Sequence, residues 1–74
     1  MPLVTVKLIE NVFTPRQKAE MVKKLTDTMV EIEGENLRDL TFVLIEDVKE
    51  SDWGIGGRTL KAADVHALQR GKAA

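Results

Sequence analysis

The chain contains no cysteine, so neither a disulfide framework nor a cysteine-ligated zinc site is open to it. A single histidine means that any metal site would have to lean on carboxylates. The formal net charge is −1, so no bulk basic field points to nucleic acid. No run approaches the roughly 20 apolar residues of a membrane span, and the N-terminus lacks a basic stretch followed by an apolar one. From these absences we expect a soluble, cytoplasmic protein without a nucleic-acid or membrane partner. At 74 residues the chain makes one domain, 1–74, with a small core. Domains of this size without disulfides or metals often oligomerise. The apolar share of 43% is that of a packed protein rather than a disordered one.

Leu3-Val4-Thr5-Val6-Lys7-Leu8-Ile9 reads as a strand. Val4, Val6 and Leu8 share one face by the period of two, and Leu3, Thr5, Lys7 and Ile9 share the other. Glu10-Asn11 closes it. Thr14-Pro15-Arg16-Gln17 then opens a helix: Thr14 as N-cap, Pro15 at the first helical position, Gln17 completing a capping box. Met21, Val22, Leu25, Met29 and Ile32 form its apolar stripe. Gly34 suits the left-handed position that ends it near Glu33.

Leu40-Thr41-Phe42-Val43-Leu44-Ile45 is apolar at nearly every position, as a strand covered on both faces would be. Strand, helix, strand predicts an α/β fold: a βαβ unit with parallel strands and a right-handed crossover. Glu46 to Asp52 reads as a polar loop or short helical turn. Lys61 to Arg70 reads as a short C-terminal helix, with Val65 and Leu68 inward and Gly71 as its stop. Residues 70–74 read as a frayed tail. One helix covers only one face of a two-stranded sheet, yet Phe42, Val43, Leu44 and Ile45 make both faces apolar. The pattern therefore asks for a second copy of the chain in a closed homo-oligomer.

Met1-Pro2 carries the candidate chemistry. A residue as small as proline allows removal of the initiator, which would leave Pro2 with a free secondary amine. An α-amino group titrates near ~7.7–8.0, and burial lowers that value by disfavouring the ammonium. A desolvated N-terminal proline is thus a candidate general base near neutral pH. Many chains also begin Met-Pro for no chemical reason.

Four features in order bear on that choice: Pro2 beside the initiator, the strand Leu3 to Ile9 followed by Glu10, Gln17-Lys18 at the helix start, and Trp53-Gly54-Ile55-Gly56-Gly57. With them the chain resembles the small tautomerases typified by 4-oxalocrotonate tautomerase, from Pro2 to about Gly57. The resemblance implies βαβ protomers that pair into dimers with a four-stranded sheet, the dimers assembling into a hexamer. It also implies that Pro2 moves protons between carbon and oxygen of an enol or dienol acid, a small carboxylic acid substrate, with no metal or organic cofactor.

The chain departs from that family at two positions. Where members place an arginine after the first strand it has about Val12, and where they place another early in the second strand it has Thr41. A buried substrate carboxylate needs a charge-assisted partner, and dienolate charge needs a donor where it develops. Arg58, directly after the glycines, is the first candidate to substitute, and Arg38 the next. Both also fit a solvated surface role. Trp53 either walls the pocket or anchors a core or interface. Thr41 and Ile9 would shape the site beside it.

Gly54-Ile55-Gly56-Gly57 lacks the lysine and hydroxyl of a phosphate loop and fits a turn needing positive φ. His66 lacks ligand spacing with Glu46 or Asp47 and reads as an ordinary residue of the last helix. Lys23-Lys24 reads as a solvated helix face. Three functions stay open on the sequence. They are a cofactor-independent enol–keto tautomerase, a related hydratase or dehalogenase of haloalkenoic acids using prolinium as acid, and a non-enzymatic oligomeric binding protein on the same fold.

Overall fold

The computed structural model describes residues 1–71. The helix start is built as its sequence demands. Thr14 Oγ1 accepts the Gln17 N–H at 3.1 Å, and Gln17 Oε1 accepts the Thr14 N–H at 2.9 Å. Two otherwise orphaned donors are thereby satisfied, with Pro15 in the first turn where its missing N–H costs nothing. Helix α1 runs Pro15–Glu33 and stops at Gly34, whose φ of 103° is open to glycine and strained for other residues.

The element order is β1 (Leu3–Ile9), α1, a 3-10 turn (Glu35–Leu40), β2 (Phe42–Val48), a second 3-10 turn (Glu50–Asp52), β3 (Gly54–Ile55), β4 (Arg58–Thr59) and α2 (Ala62–Gln69). Strands β1 and β2 are hydrogen-bonded neighbours, and the parallel βαβ unit expected from the sequence is present. Its register is fixed at both ends. The Phe42 N–H donates to the Pro2 carbonyl at 3.0 Å, and the Glu10 N–H donates to the Val48 carbonyl at 2.8 Å. In a parallel ladder those bonds set Leu3 beside Phe42 and Ile9 beside Val48.

The described residues form two compact units. The first joins Met1–Val6 to Thr14–Glu46. On its ladder Val4, Val6, Val43 and Ile45 are half-buried, while Leu3, Thr5, Phe42 and Leu44 are exposed, the alternation of a sheet with one covered face. Helix α1 offers the matching surface: Val30 is buried, and Met21, Leu25 and Met29 are half-buried. Leu3 (61% exposed), Phe42 (47%) and Leu44 (46%) leave the opposite face uncovered within one chain. The second unit joins Lys7–Phe13 to residues 47–71. Its core is Ile9, Val12 and Ala62, with Phe13, Trp53, Leu60 and Val65 packed against it.

Several expectations are corrected. Leu40 does not open β2; it closes the 3-10 turn, held by the Leu37 N–H on the Gly34 carbonyl and the Thr41 N–H on the Arg38 carbonyl, each at 3.2 Å. Strand β2 instead continues through Glu46 and Asp47 to Val48, because pairing with β1 outweighs the polarity of two side chains that face solvent. Gly54–Thr59 is an antiparallel hairpin, Gly54 opposite Thr59 and Ile55 opposite Arg58. Its turn glycines have φ of 59° and 83°, the primed-turn geometry that matches strand twist.

Ile32 is 78% exposed and does not belong to the stripe, since it lies about 200° around the helix from Val30. Leu68 is 50% exposed, so α2 turns Ala62 and Val65 inward and not Leu68. The frayed tail expected at 70–74 falls, from Lys72 on, outside the described residues. Among the described residues no helix is long and apolar enough to cross a membrane.

Replacing Thr14 by alanine removes one half of the capping box. It should cost about 1 kcal/mol and lower the thermal midpoint by several degrees, read by circular dichroism, while Thr14→Ser keeps most of the stability.

Candidate active site

The first unit holds Pro2 and Thr41. Pro2 is half-buried, and its carbonyl is tied to the start of β2 by the Phe42 N–H. Thr41 already has extended dihedrals (φ −100°, ψ 120°), so the ladder register carries back to it and sets it across from Pro2. Leu3 and Phe42 point to the uncovered face, so alternation carried one residue back, to Pro2 and Thr41 just ahead of the two strands, sets them toward the helix side.

The Thr41 hydroxyl lies 2.7 Å from Glu33 Oε2 and 2.8 Å from the Leu37 carbonyl. It has one proton for these two acceptors. Glu33 Oε1 is buried and has no hydrogen-bond partner among the described residues. Glu33 was not singled out in the sequence, although a signal was there. It follows Met29 by four residues and Val30 by three, which sets it on the buried side of α1.

Arg38 is committed elsewhere. Its Nε lies 2.7 Å from Glu35 Oε1 and its Nη1 2.8 Å from Asp27 Oδ1. These carboxylates hold the guanidinium well above its ordinary value, Glu35 more than Asp27. In return the Glu35 carboxyl is lowered by Arg38, and the Asp27 carboxyl is lowered by Lys23 and then Arg38. As the structure stands, Arg38 is a surface cation in a local network.

The second unit holds Ile9, Trp53 and Arg58. Ile9 is buried, and half-buried Trp53 packs on the Ile9–Val12–Ala62 cluster. Backbone bonds fix the approach to the tryptophan: Trp53 N–H to the Glu50 carbonyl at 3.3 Å, and Leu60 N–H to the Trp53 carbonyl at 2.9 Å. Two carboxylates brace the same region. Glu10 Oε1 accepts the Glu50 N–H at 3.3 Å, and Glu50 Oε1 accepts the Ala62 N–H at 2.5 Å. Arg58 is exposed on β4, and its side chain makes no ion pair among the described residues.

Val12 is only 6% exposed and belongs to the core, so its position carries no substrate grip in this chain. His66 links α2 to the loop after β1, with Nε2 3.3 Å from the Asn11 carbonyl and Nδ1 3.1 Å from Gln69 Oε1. Among the described residues no group of three or more His, Cys, Asp or Glu side chains could hold a metal ion. The structure thus places Pro2 and Thr41 on neighbouring strand starts in one unit, and Ile9 and Trp53 in the core of the other with Arg58 on its hairpin.

The family model described as "Tautomerase enzyme" matches residues 2–63. The chain is 32% identical over 60 residues to "Probable tautomerase K2" of Dickeya dadantii, covering 81% of this chain and 88% of that one. It is 31% identical over 67 residues to "Probable tautomerase Cj0270" of Campylobacter jejuni, covering 90% of this chain and 97% of the other. Among solved structures, a 4-oxalocrotonate tautomerase isozyme from Methylibium petroleiphilum superposes with a TM-score of 0.73 at 35% identity, covering 84% of this chain and 97% of its own.

The Arg38 network gives a signed pH dependence. Because the Asp27 and Glu35 carboxyls are lowered in the fold, their contribution to stability is present above the ordinary carboxyl range near ~4 and is lost as pH falls through the lowered values. The urea midpoint of Arg38→Gln should lie slightly below that of the wild type at pH 7, an exposed network being worth little. The gap should narrow as pH falls below the ordinary carboxyl range, as the two carboxyls take up protons.

Proposed function

The chain belongs to the tautomerase family, and from that we propose a cofactor-independent enol–keto tautomerase acting on a small unsaturated 2-oxo or 2-hydroxy acid. In this reading Met1 is removed and Pro2 is the proton carrier. The observation that carries it is the setting of Pro2: half-buried, on the helix side of the ladder, its carbonyl pinned at 3.0 Å by the Phe42 N–H. A strand start fixed in this way holds the ring nitrogen at a set place, as general base catalysis requires.

The neutral amine takes a proton from carbon or oxygen next to the substrate carbonyl. The electron pair released moves through the conjugated system, and the prolinium returns the proton at the other end. No atom is gained or lost, so the reaction needs no co-reactant. Thr41, in the same unit as Pro2, would shape the mouth of the site; a substrate-binding role for Trp53, Ile9 and Arg58 rests on the family resemblance alone.

We also propose that the working form is a cytoplasmic homohexamer with a dimer as building block. The exposed Leu3, Phe42 and Leu44 on one sheet face support a second copy, since a surface of this kind is usually an interface.

Pro2→Ala, with mass spectrometry showing Met1 gone, should lower kcat/KM for 2-hydroxymuconate or phenylenolpyruvate by about 10²-fold or more. Full activity in that variant sinks the reading. For the wild type, kcat/KM should rise with pH as the amine deprotonates.

Sedimentation should give a wild-type particle of six chains. Phe42→Asp combined with Leu44→Asp should give smaller species, because two charges on that face cannot be desolvated without partners.

A further inference from the structure

A carboxylate with a buried, unpartnered oxygen needs a donor. Glu33 is in that condition: Oε1 is buried with no partner among the described residues, and Oε2 shares one hydroxyl proton with the Leu37 carbonyl. The carboxylate is anchored at 2.7 Å to the side chain of Thr41. Thr41 lies across the parallel ladder from Pro2, and neighbouring strands stand about 4.8 Å apart. Both residues are on the helix side, where the last turn of α1 brings Glu33. All three belong to one compact unit.

We propose that Glu33 is a positioning residue for the N-terminal amine, its Oε1 accepting an N–H of the mature Pro2. The proposal rests on Pro2 having a free nitrogen, as in the proposed function. A secondary ammonium has two N–H donors, and one of them supplies what Oε1 lacks. The Thr41 hydroxyl holds the carboxylate in place, so the contact is set before substrate arrives. Chemically it steadies the prolinium that exists between proton uptake and proton return, opposing the effect of desolvation.

The other charged groups around this corner do not compete. Arg38 is engaged by Glu35 and Asp27, and Asp39 is exposed. Leu3 to Val6 and Thr41 to Ile45 contribute no charge.

The test is a ¹⁵N NMR titration of Pro2 in proline-labelled protein whose mass shows that Met1 is gone. Glu33→Gln keeps the shape and the acceptor for Thr41 but removes the charge, and the Pro2 midpoint should fall by about one pH unit. Thr41→Val frees the carboxylate and should move the midpoint in the same direction by less. Asp39→Asn should leave it in place. An unchanged midpoint in folded Glu33→Gln overturns the proposal, as does an equal fall in Asp39→Asn, which would mean a general field effect. If Glu33→Gln does not fold, an unchanged midpoint in Thr41→Val overturns it. The readout needs no substrate, so an inactive enzyme with a shifted midpoint sinks the proposed reaction and leaves Glu33 standing. Retained Met1 sinks both.

Discussion

The pairing of β1 with β2 is the constraint from which the rest follows. Two backbone bonds, Phe42 N–H to Pro2 and Glu10 N–H to Val48, fix a parallel register at both ends of the ladder. A slip of β2 by one residue would turn Val43 and Ile45 to the open side while Val4 and Val6 stayed on the helix side, so apolar burial enforces the same register that the bonds define. The first of those bonds also reaches one residue beyond the strand. It ties the second residue of the chain to the sheet, and that is why the backbone at Pro2 is a placed group.

Much of this was legible in the sequence where the cause is local. The capping box of Thr14 and Gln17 and the stop at Gly34 depend on residues within a few positions of one another, and α1 has the bounds they imply. Strand limits depend on a distant partner, so Glu46 and Asp47 looked like loop until β1 was set beside them. The hairpin at Gly54–Thr59 was hidden for another reason. Two-residue strands show no alternation, and only the turn between them leaves a mark in composition. Ile32 looked like core because it is apolar at nearly the right spacing. Helical geometry sends it outward once Val30 is taken as the buried centre.

The family resemblance was readable in the same way, in Pro2, the strand after it and the Trp-Gly-Ile-Gly-Gly run. The ladder and the family match agree with it. What it could not give was the local electrostatics. Arg38 looked available as a free cation, yet Glu35 three residues before it and Asp27 on α1 take up its donors. Glu33 figures in the sequence only as the last residue of the helix. Only the chain's return through the 3-10 turn brings the Thr41 hydroxyl onto it. Charges at this corner are thus decided by which side chains the turn folds back on one another, and a linear pattern does not contain that.

The chain has a single tryptophan, and it lies in the cluster with Ile9, Val12 and Ala62. Helix α1, the longest element, belongs to the other unit. Native emission therefore watches one half of the molecule, while the far-ultraviolet ellipticity is dominated by the other. With no added label, the two signals followed through one melt report on the two units separately, and their coincidence or separation tells whether the chain unfolds in one step or two.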